Sequence, residues 1–231
     1  MVLLVGALLA FAASSLKPNI DENKRLEKQQ NILYAMGVNE NDESSANFVS
    51  TEAAPELFKK YIKKQIVIEG DKLTEDENAY LIDIKKQQAS AKAGNVRKLP
   101  LFIGEKDGKT YYIAPIYGKG LWDAIWAYVA LDENMVVQGA YFDHKGETPG
   151  LGANITQRFF MDDFIGEHLK SEGKFVGIDV AKGNADPKNE NKTDNEVDAI
   201  AGATITGNGV SAMIKNDLKL YVPYFDNLKN N

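Results

Sequence analysis

Between Trp122 and Leu131 the side chains alternate without a break. Trp122, Ala124, Trp126, Tyr128 and Ala130 fall on one side, and Asp123, Ile125, Ala127, Val129 and Leu131 on the other. A period of two is a strand period, and a strand apolar on both sides belongs in a sheet with both faces buried or half-buried. Asp132-Glu133-Asn134 then reads as a turn and Met135 to Phe142 as the returning strand of a hairpin. Thr110 to Tyr117, ending at Gly118, adds a strand ahead of the pair. Farther on, His144 to Gly152 is a glycine-rich loop, Ile155 to Leu169 is predicted helical, and Lys174 to Val180 is a strand. Lys182 to Glu196 is a polar loop and Thr206 to Leu220 the last helix. Upstream, Ile20 to Met36 has helical spacing with Gly37 as its stop, and Asn39 to Ala46 is a polar loop. Ala54 to Lys64 reads as a short helix, Gln65 to Glu69 as a strand, and Asn78 to Lys86 is ambiguous. Strands with helices at the ends predict an α+β domain, an antiparallel or mixed sheet flanked by helices.

Met1 to Leu16 carries no charge and is rich in Leu, Val, Ala and Phe. A spanning helix needs about 20 apolar residues, with a lower limit of about 17. Two readings stand: a membrane anchor, shortened at its start, or a cleaved signal peptide with Ala10-Phe11-Ala12 as the processing site. The 231 residues suffice for one medium domain or two small ones. A net charge of −6, with no basic run interleaved with aromatics, argues against nucleic acid as a partner. The chain has no cysteine, which excludes thiolate ligation of an iron–sulfur cluster, a disulfide and a cysteine nucleophile. His144 and His168 are the two histidines, and no spacing of His, Asp and Glu makes a metal site. Neither a Gly-x-Gly-x-x-Gly fingerprint nor a Walker motif occurs, so NADH is not expected to bind this chain itself.

The segment with the most chemistry is Asp198-Ala199-Ile200-Ala201-Gly202-Ala203-Thr204, followed by Ile205-Thr206-Gly207-Asn208-Gly209. Small residues admit another molecule close to the backbone. A helix N-terminus presents free N–H groups and the positive end of its dipole, which suit a phosphate. The plainer reading is a polar helix start with Thr206 as N-cap. Two further stretches stand out: Gly118-Lys119-Gly120-Leu121-Trp122 and His144-Lys145-Gly146-Glu147-Thr148-Pro149-Gly150-Leu151-Gly152. Trp122 is either a core residue or a ring at a sheet end. Glu147 and Thr148 sit either in a solvated turn or against a ligand, and Leu151 could cover a ring face.

The Asp198–Thr204 segment resembles the flavin-attachment motif Asp-x-x-Ser/Thr-Gly-Ala-Thr, with Ala201 where the motif has Ser or Thr. In that motif the last threonine is esterified to the phosphate of FMN by a flavin transferase, which implies Thr204 as the modified residue. With Gly120-Leu121-Trp122, Glu147 to Gly152, the Leu16-Lys17-Pro18 step and Lys28 to Leu33, the chain resembles the C subunit of the sodium-translocating NADH:quinone reductase. The polar region Asn39 to Gly94 and the Leu99-Pro100-Leu101-Phe102 stretch favour that family over the G subunit of the Rnf-type electron-transport complex. A third reading is a secreted flavin-fold binding protein without redox activity.

The family resemblance implies a transmembrane anchor at 1–16, an N-terminal α/β region at 17–98 and an FMN-binding domain at 99–231. It implies a single pass through the bacterial inner membrane, with the soluble domain in the periplasm. FMN would be covalent at Thr204, with Trp122, Glu147, Thr148, Leu151, Gly152, Gly202, Ala203, Ile205 and Thr206 around it. The chain would carry electrons within a multi-subunit complex that oxidises NADH, reduces quinone and exports sodium. Its partners would be the other subunits and, during maturation, the flavin transferase.

Overall fold

A computed structural model describes residues 2–42, 45–182, 186 and 188–228. Met1 of the expected anchor, and residues 43–44, 183–185 and 187 of the expected polar loops, lie outside the described residues. The first element, α1 (Val2–Ala35), joins the apolar run and the expected helix from Ile20 into one helix with Pro18 inside it. Leu4, Leu8, Phe11, Leu16 and Ile20 are exposed along its first half, whereas Ile32 to Met36 are buried in the core. Among the described residues no helix is long and apolar enough to cross a membrane. The expected anchor is thus the exposed first half of a longer helix. Gly37 ends α1 as expected. At φ +75° it sets up paired closing bonds, Gly37 N–H to Tyr34 O (2.9 Å) and Val38 N–H to Leu33 O (2.9 Å).

Next come α2 (Ala54–Tyr61), β1 (Ile62–Glu69), β2 (Lys72–Glu75) and α3 (Ile84–Lys92). The long strands follow: β3 (Lys98–Lys106), β4 (Lys109–Lys119), β5 (Ala124–Leu131) and β6 (Val137–His144). The six form one antiparallel sheet in the order β2-β1-β3-β4-β5-β6, with strands from both sides of residue 98. Trp122 lies outside β5, which starts at Ala124, because Leu121 to Asp123 form a loop. The helix expected over Ile155 to Leu169 is reduced to a 3-10 turn, Gly152–Thr156, and the short α4 (Arg158–Asp163). Leu169 lies beyond it, buried in the core, and its N–H is bonded to Met135 O. The strand expected over Lys174 to Val180 becomes two pieces. The hairpin β7 (Lys170–Ser171) with β8 (Lys174–Phe175) precedes β9 (Asp179–Ala181), which pairs in parallel with β10 (Glu196–Asp198). The chain ends in α5 (Thr204–Asp217) and α6 (Val222–Leu228).

Both faces of β4–β6 are covered, as the alternation requires. The C-terminal part of α1 lies on one face, where a Cβ at Gly139 would collide with the Ala35 carbonyl. On that side Tyr34 meets Tyr141 edge-on at 5.6 Å. The other face carries α4 and α5. Phe142 packs against Phe160 and Phe164 there, and a side chain at Gly209 would strike the Lys119 carbonyl.

β3 and β4 pair as far as Phe102–Ile113 and part beyond it. The C-terminal region fills the gap. Asp217 accepts from Tyr117 N–H (2.9 Å), and Gln88 Nε2 donates to Tyr117 O (2.6 Å), so two side chains take the place of a neighbouring strand. Tyr221 Oη donates to Pro100 O at 3.0 Å and lies 3.4 Å from Pro115 O, tying the separated strands together. The Arg97 guanidinium donates twice to Asp217, at 2.8 and 3.0 Å, in a pair mostly hidden from solvent. Removing one member of such a pair strands the other charge. Asp217→Ala is expected to lose about 3 to 5 kcal/mol of stability, read from the urea midpoint at unchanged m-value.

Candidate functional site

Three segments converge at one end of the sheet: the 120–123 loop between β4 and β5, the 147–152 loop after β6, and the start of α5. A buried carboxylate joins them. Glu147 is 4% exposed. Its Oε1 accepts from Trp122 N–H (2.9 Å) and Asp123 N–H (3.4 Å), and its Oε2 from Leu121 N–H (3.3 Å) and the Thr206 hydroxyl (2.6 Å). Burial alone would raise its pKa. The Thr206 hydroxyl and the three backbone amides outweigh that and hold it below the ordinary value of 4.5. The carboxylate that the sequence offers as a ligand contact therefore faces inward and works through the loop it holds. Its own N–H donates to His144 Nδ1 at 3.2 Å.

Thr206 is 1% exposed and lies in the first turn of α5, so it is not the N-cap. The helix starts two residues earlier than the sequence suggests, because the Thr206 hydroxyl is committed to Glu147. Ala203 holds the N-cap position, and no side chain caps the helix. Thr204 is therefore the first helical residue, exposed, two positions after Gly202 at φ +73°. The first-turn N–H groups and the dipole end are open to an anion beside the Thr204 hydroxyl.

The surroundings are apolar and exposed: Trp122 at 66%, Ile205 at 57% and Leu151 at 41%. Trp122 is not core. Its Nε1 donates to the Thr148 hydroxyl at 3.1 Å, which holds the ring at the rim. A Cβ at Gly202 would lie 2.9 Å from Leu151 Cδ2, so the loop at 151 rests against the segment that leads to Thr204. Gly152 is buried, and a Cβ there would come within 2.5 Å of Thr206 Oγ1 and 2.6 Å of Glu147 Oε2. Ala203 is buried as well. Asp123 and Lys145 pair at 2.8 Å on the exposed rim, and this contact, with the Ala124 N–H, lowers the Asp123 pKa. The structure thus places Thr204, Ile205, Trp122, Thr148 and Leu151 on the surface, and Glu147, Gly152, Ala203 and Thr206 beneath it. The Glu147–Thr206 bond has no signal in the sequence, since its ends are 59 positions apart. The residues present suit FMN: an uncapped helix start for a phosphate, a free hydroxyl beside it, and exposed apolar groups to meet a ring.

An FMN-binding domain family matches residues 120–219, which contain all three segments. The fold and the site define a flavin-binding domain. The C subunit of the Na(+)-translocating NADH-quinone reductase of Yersinia pestis is 32% identical over 224 residues, 91% of this chain and 82% of that protein. Its Vibrio alginolyticus counterpart is 30% identical over 225 residues, 90% of this chain and 82% of that protein. The crystal structure of the C subunit from Parabacteroides distasonis superposes with a TM-score of 0.76 at 30% identity, covering 91% of this chain and 96% of that one. Shewanella oneidensis NqrC gives 0.69 at 27% identity, covering 90% and 99%. The chain belongs to the family of C subunits of the Na+-translocating NADH:quinone reductase.

The folded Glu147 pKa is depressed, so its contribution to stability is present above the unfolded value of 4.5 and is lost as pH falls through the lower folded value. Glu147→Gln puts an amide among four donors and is expected to cost about 2 to 3 kcal/mol at pH 7. Urea titrations of both proteins at pH 7 and at about pH 3 should show the difference shrinking in acid; a difference constant with pH would contradict it.

Proposed function

We propose that this chain is the electron-carrying C subunit of a membrane complex that oxidises NADH, reduces quinone and exports sodium, with FMN held by a phosphoester on Thr204. One observation carries the assignment: exposed Thr204 opens α5 with no side-chain cap, and Glu147 and Gly202 tie that helix start to the loops that carry the exposed Trp122 and Leu151. When bound, FMN supplies electron transfer, one electron at a time or two together. The chain supplies the rest. Thr204 would hold the flavin phosphate through its side-chain oxygen, and the first-turn N–H groups of α5 would stabilise the phosphate charge. Trp122, Leu151 and Ile205 offer apolar contact to the ring system, and Thr148 keeps the Trp122 ring in place. Glu147 and Thr206 fix the two loops and the helix relative to one another. No side chain here acts as an acid or base toward a substrate, and NADH oxidation falls to other subunits.

The names of the relatives motivate the other subunits of the same reductase as partners, and the resemblance of Asp198–Thr204 to the flavin-attachment motif motivates a flavin transferase during maturation. The exposed Leu4, Leu8, Leu9, Phe11 and Leu16 of α1 motivate a seat in the bacterial inner membrane, with the folded domain on the periplasmic side.

Protein made with a flavin transferase should have an intact mass raised by one FMN less one water, on the peptide carrying Thr204. Thr204→Ala should carry no flavin after denaturation; stoichiometric FMN on that variant would place the bond elsewhere. Native protein should stay with the membrane through a high-salt wash. Release into the wash with a processed N-terminus would support the secreted binding protein instead.

A further inference from the structure

On the sheet face opposite α5, strands β4 and β5 place two cross-strand pairs side by side: Pro115 with Tyr128, and Tyr117 with Trp126. Four ring-bearing side chains thus form one platform. Over it lies an open cavity of about 350 Å³, walled by α1 on one flank and by Ile82 and Ile84 on the other. The α1 wall is Lys24, Glu27, Lys28 and Asn31, spaced three and four residues apart on one helix face.

Two lining groups are unusual. Asn31 is 3% exposed and Tyr128 is 8% exposed, yet neither the Asn31 amide nor the Tyr128 hydroxyl has a hydrogen-bond partner among the described residues. The buried side-chain polar atoms without a partner among the described residues are Gln29 Oε1, Arg97 Nε and Glu167 Oε2, so the Asn31 and Tyr128 polar atoms are reached from the cavity rather than sealed in the core. Here both line the same cavity, and each can donate and accept. Burial raises the Tyr128 pKa, which keeps the phenol neutral. The rim mixes Lys24, Lys28 and Lys85 with Glu27 and Asp83, so it holds both signs and selects no strong charge. A mostly apolar cavity of this size, with a few converging polar groups, is how small-molecule sites are built.

We propose that this cavity is a second ligand site, separate from the flavin end, for a neutral planar aromatic molecule carrying a hydroxyl or carbonyl group. The ring lies on the platform formed by Pro115, Tyr117, Trp126 and Tyr128. Its polar group satisfies Asn31 and the Tyr128 hydroxyl. The site is distinct from the flavin end because Trp126 and Tyr128 face α1, whereas their neighbours Ile125 and Gly118 face Glu147 and α5.

The probe is 4-hydroxybenzamide, with benzene as the ring lacking polar groups. The chain has two tryptophans, so Trp122→Phe leaves Trp126 as the sole reporter. In that background 4-hydroxybenzamide should quench Trp126 fluorescence saturably, with half-saturation at or below about 1 mM, as befits a ligand of its size. Benzene should bind at least about tenfold more weakly, the effect of one lost hydrogen bond. Asn31→Leu and Tyr128→Phe should each weaken 4-hydroxybenzamide by about tenfold and leave benzene unaffected or improved. Quenching without saturation, or equal binding by parent and both variants, overturns the proposal. Should either variant fail to fold, NMR on the unaltered chain decides: the bound probe must show contacts to Ile82, Pro115 and Trp126. Their absence at saturating probe overturns it, as would contacts to Trp122 and Leu151, which would place the ring at the flavin end.

Discussion

The carboxylate of Glu147 is the acceptor on which the end of the sheet that carries Thr204 depends. Three backbone amides and one hydroxyl converge on two oxygens. Each donor comes from a segment that would otherwise choose its own position. With them satisfied, the 120–123 loop, the 147–152 loop and the first turn of α5 form one body. The glycines around it follow from the same contact. A side chain at Gly120 would lie 2.6 Å from Glu147 Oε1, and one at Gly152 2.6 Å from Oε2. Glycine in these loops looks at first like room left for a ligand; here it is room left for the carboxylate. Because Thr206 is held in the first turn, the turn that precedes it is fixed too, and Thr204 comes to the surface.

The same logic governs the second half of β4, which leads into the 120–123 loop. A strand that leaves its neighbour exposes amides and carbonyls that need partners. Asp217, Gln88 and Tyr221 provide them at Tyr117, Pro100 and Pro115. Asp217 also ends α5, so the helix that starts at the flavin motif is anchored at both termini, by Glu147 at one and by the sheet gap at the other. The position of Thr204 is therefore set by the whole length of α5, not by the local motif alone.

Period-two alternation made β5 legible in the sequence, since a strand buried on both faces leaves a clear pattern, and the Asp132–Asn134 turn and Gly118 marked its neighbours β6 and β4. Gly37 marked the end of α1, because a left-handed C-terminal residue asks for glycine. The sequence could not show that Ile155 to Leu169 breaks after Asp163. Phe160, Met161 and Phe164 bury as a helix would, but the segment then turns so that Gly166 and Glu167 can bond to Val137. Nor could it show that α1 runs through Pro18. The family resemblance points to Thr204, Trp122 and Leu151 among the expected flavin contacts, and the structure places these three on the surface. The resemblance could not tell the residues that face out from Glu147 and Thr206, which face in, because that distinction is made by a pairing across 59 positions.

The exposure of the site bears on why a covalent bond would be useful there. Trp122, Ile205 and Leu151 lie on open surface rather than in a cleft. A ligand that buries little of itself gains little from apolar contact, since the gain scales with area removed from water. A deeper pocket would hold FMN without a bond, but it would also interpose protein between the ring and any partner. An ester on Thr204, as proposed, would separate retention from burial: the bond would keep the cofactor and leave the surface free for a neighbouring carrier. Glu147 holds the loops and the helix start that carry that surface in one arrangement.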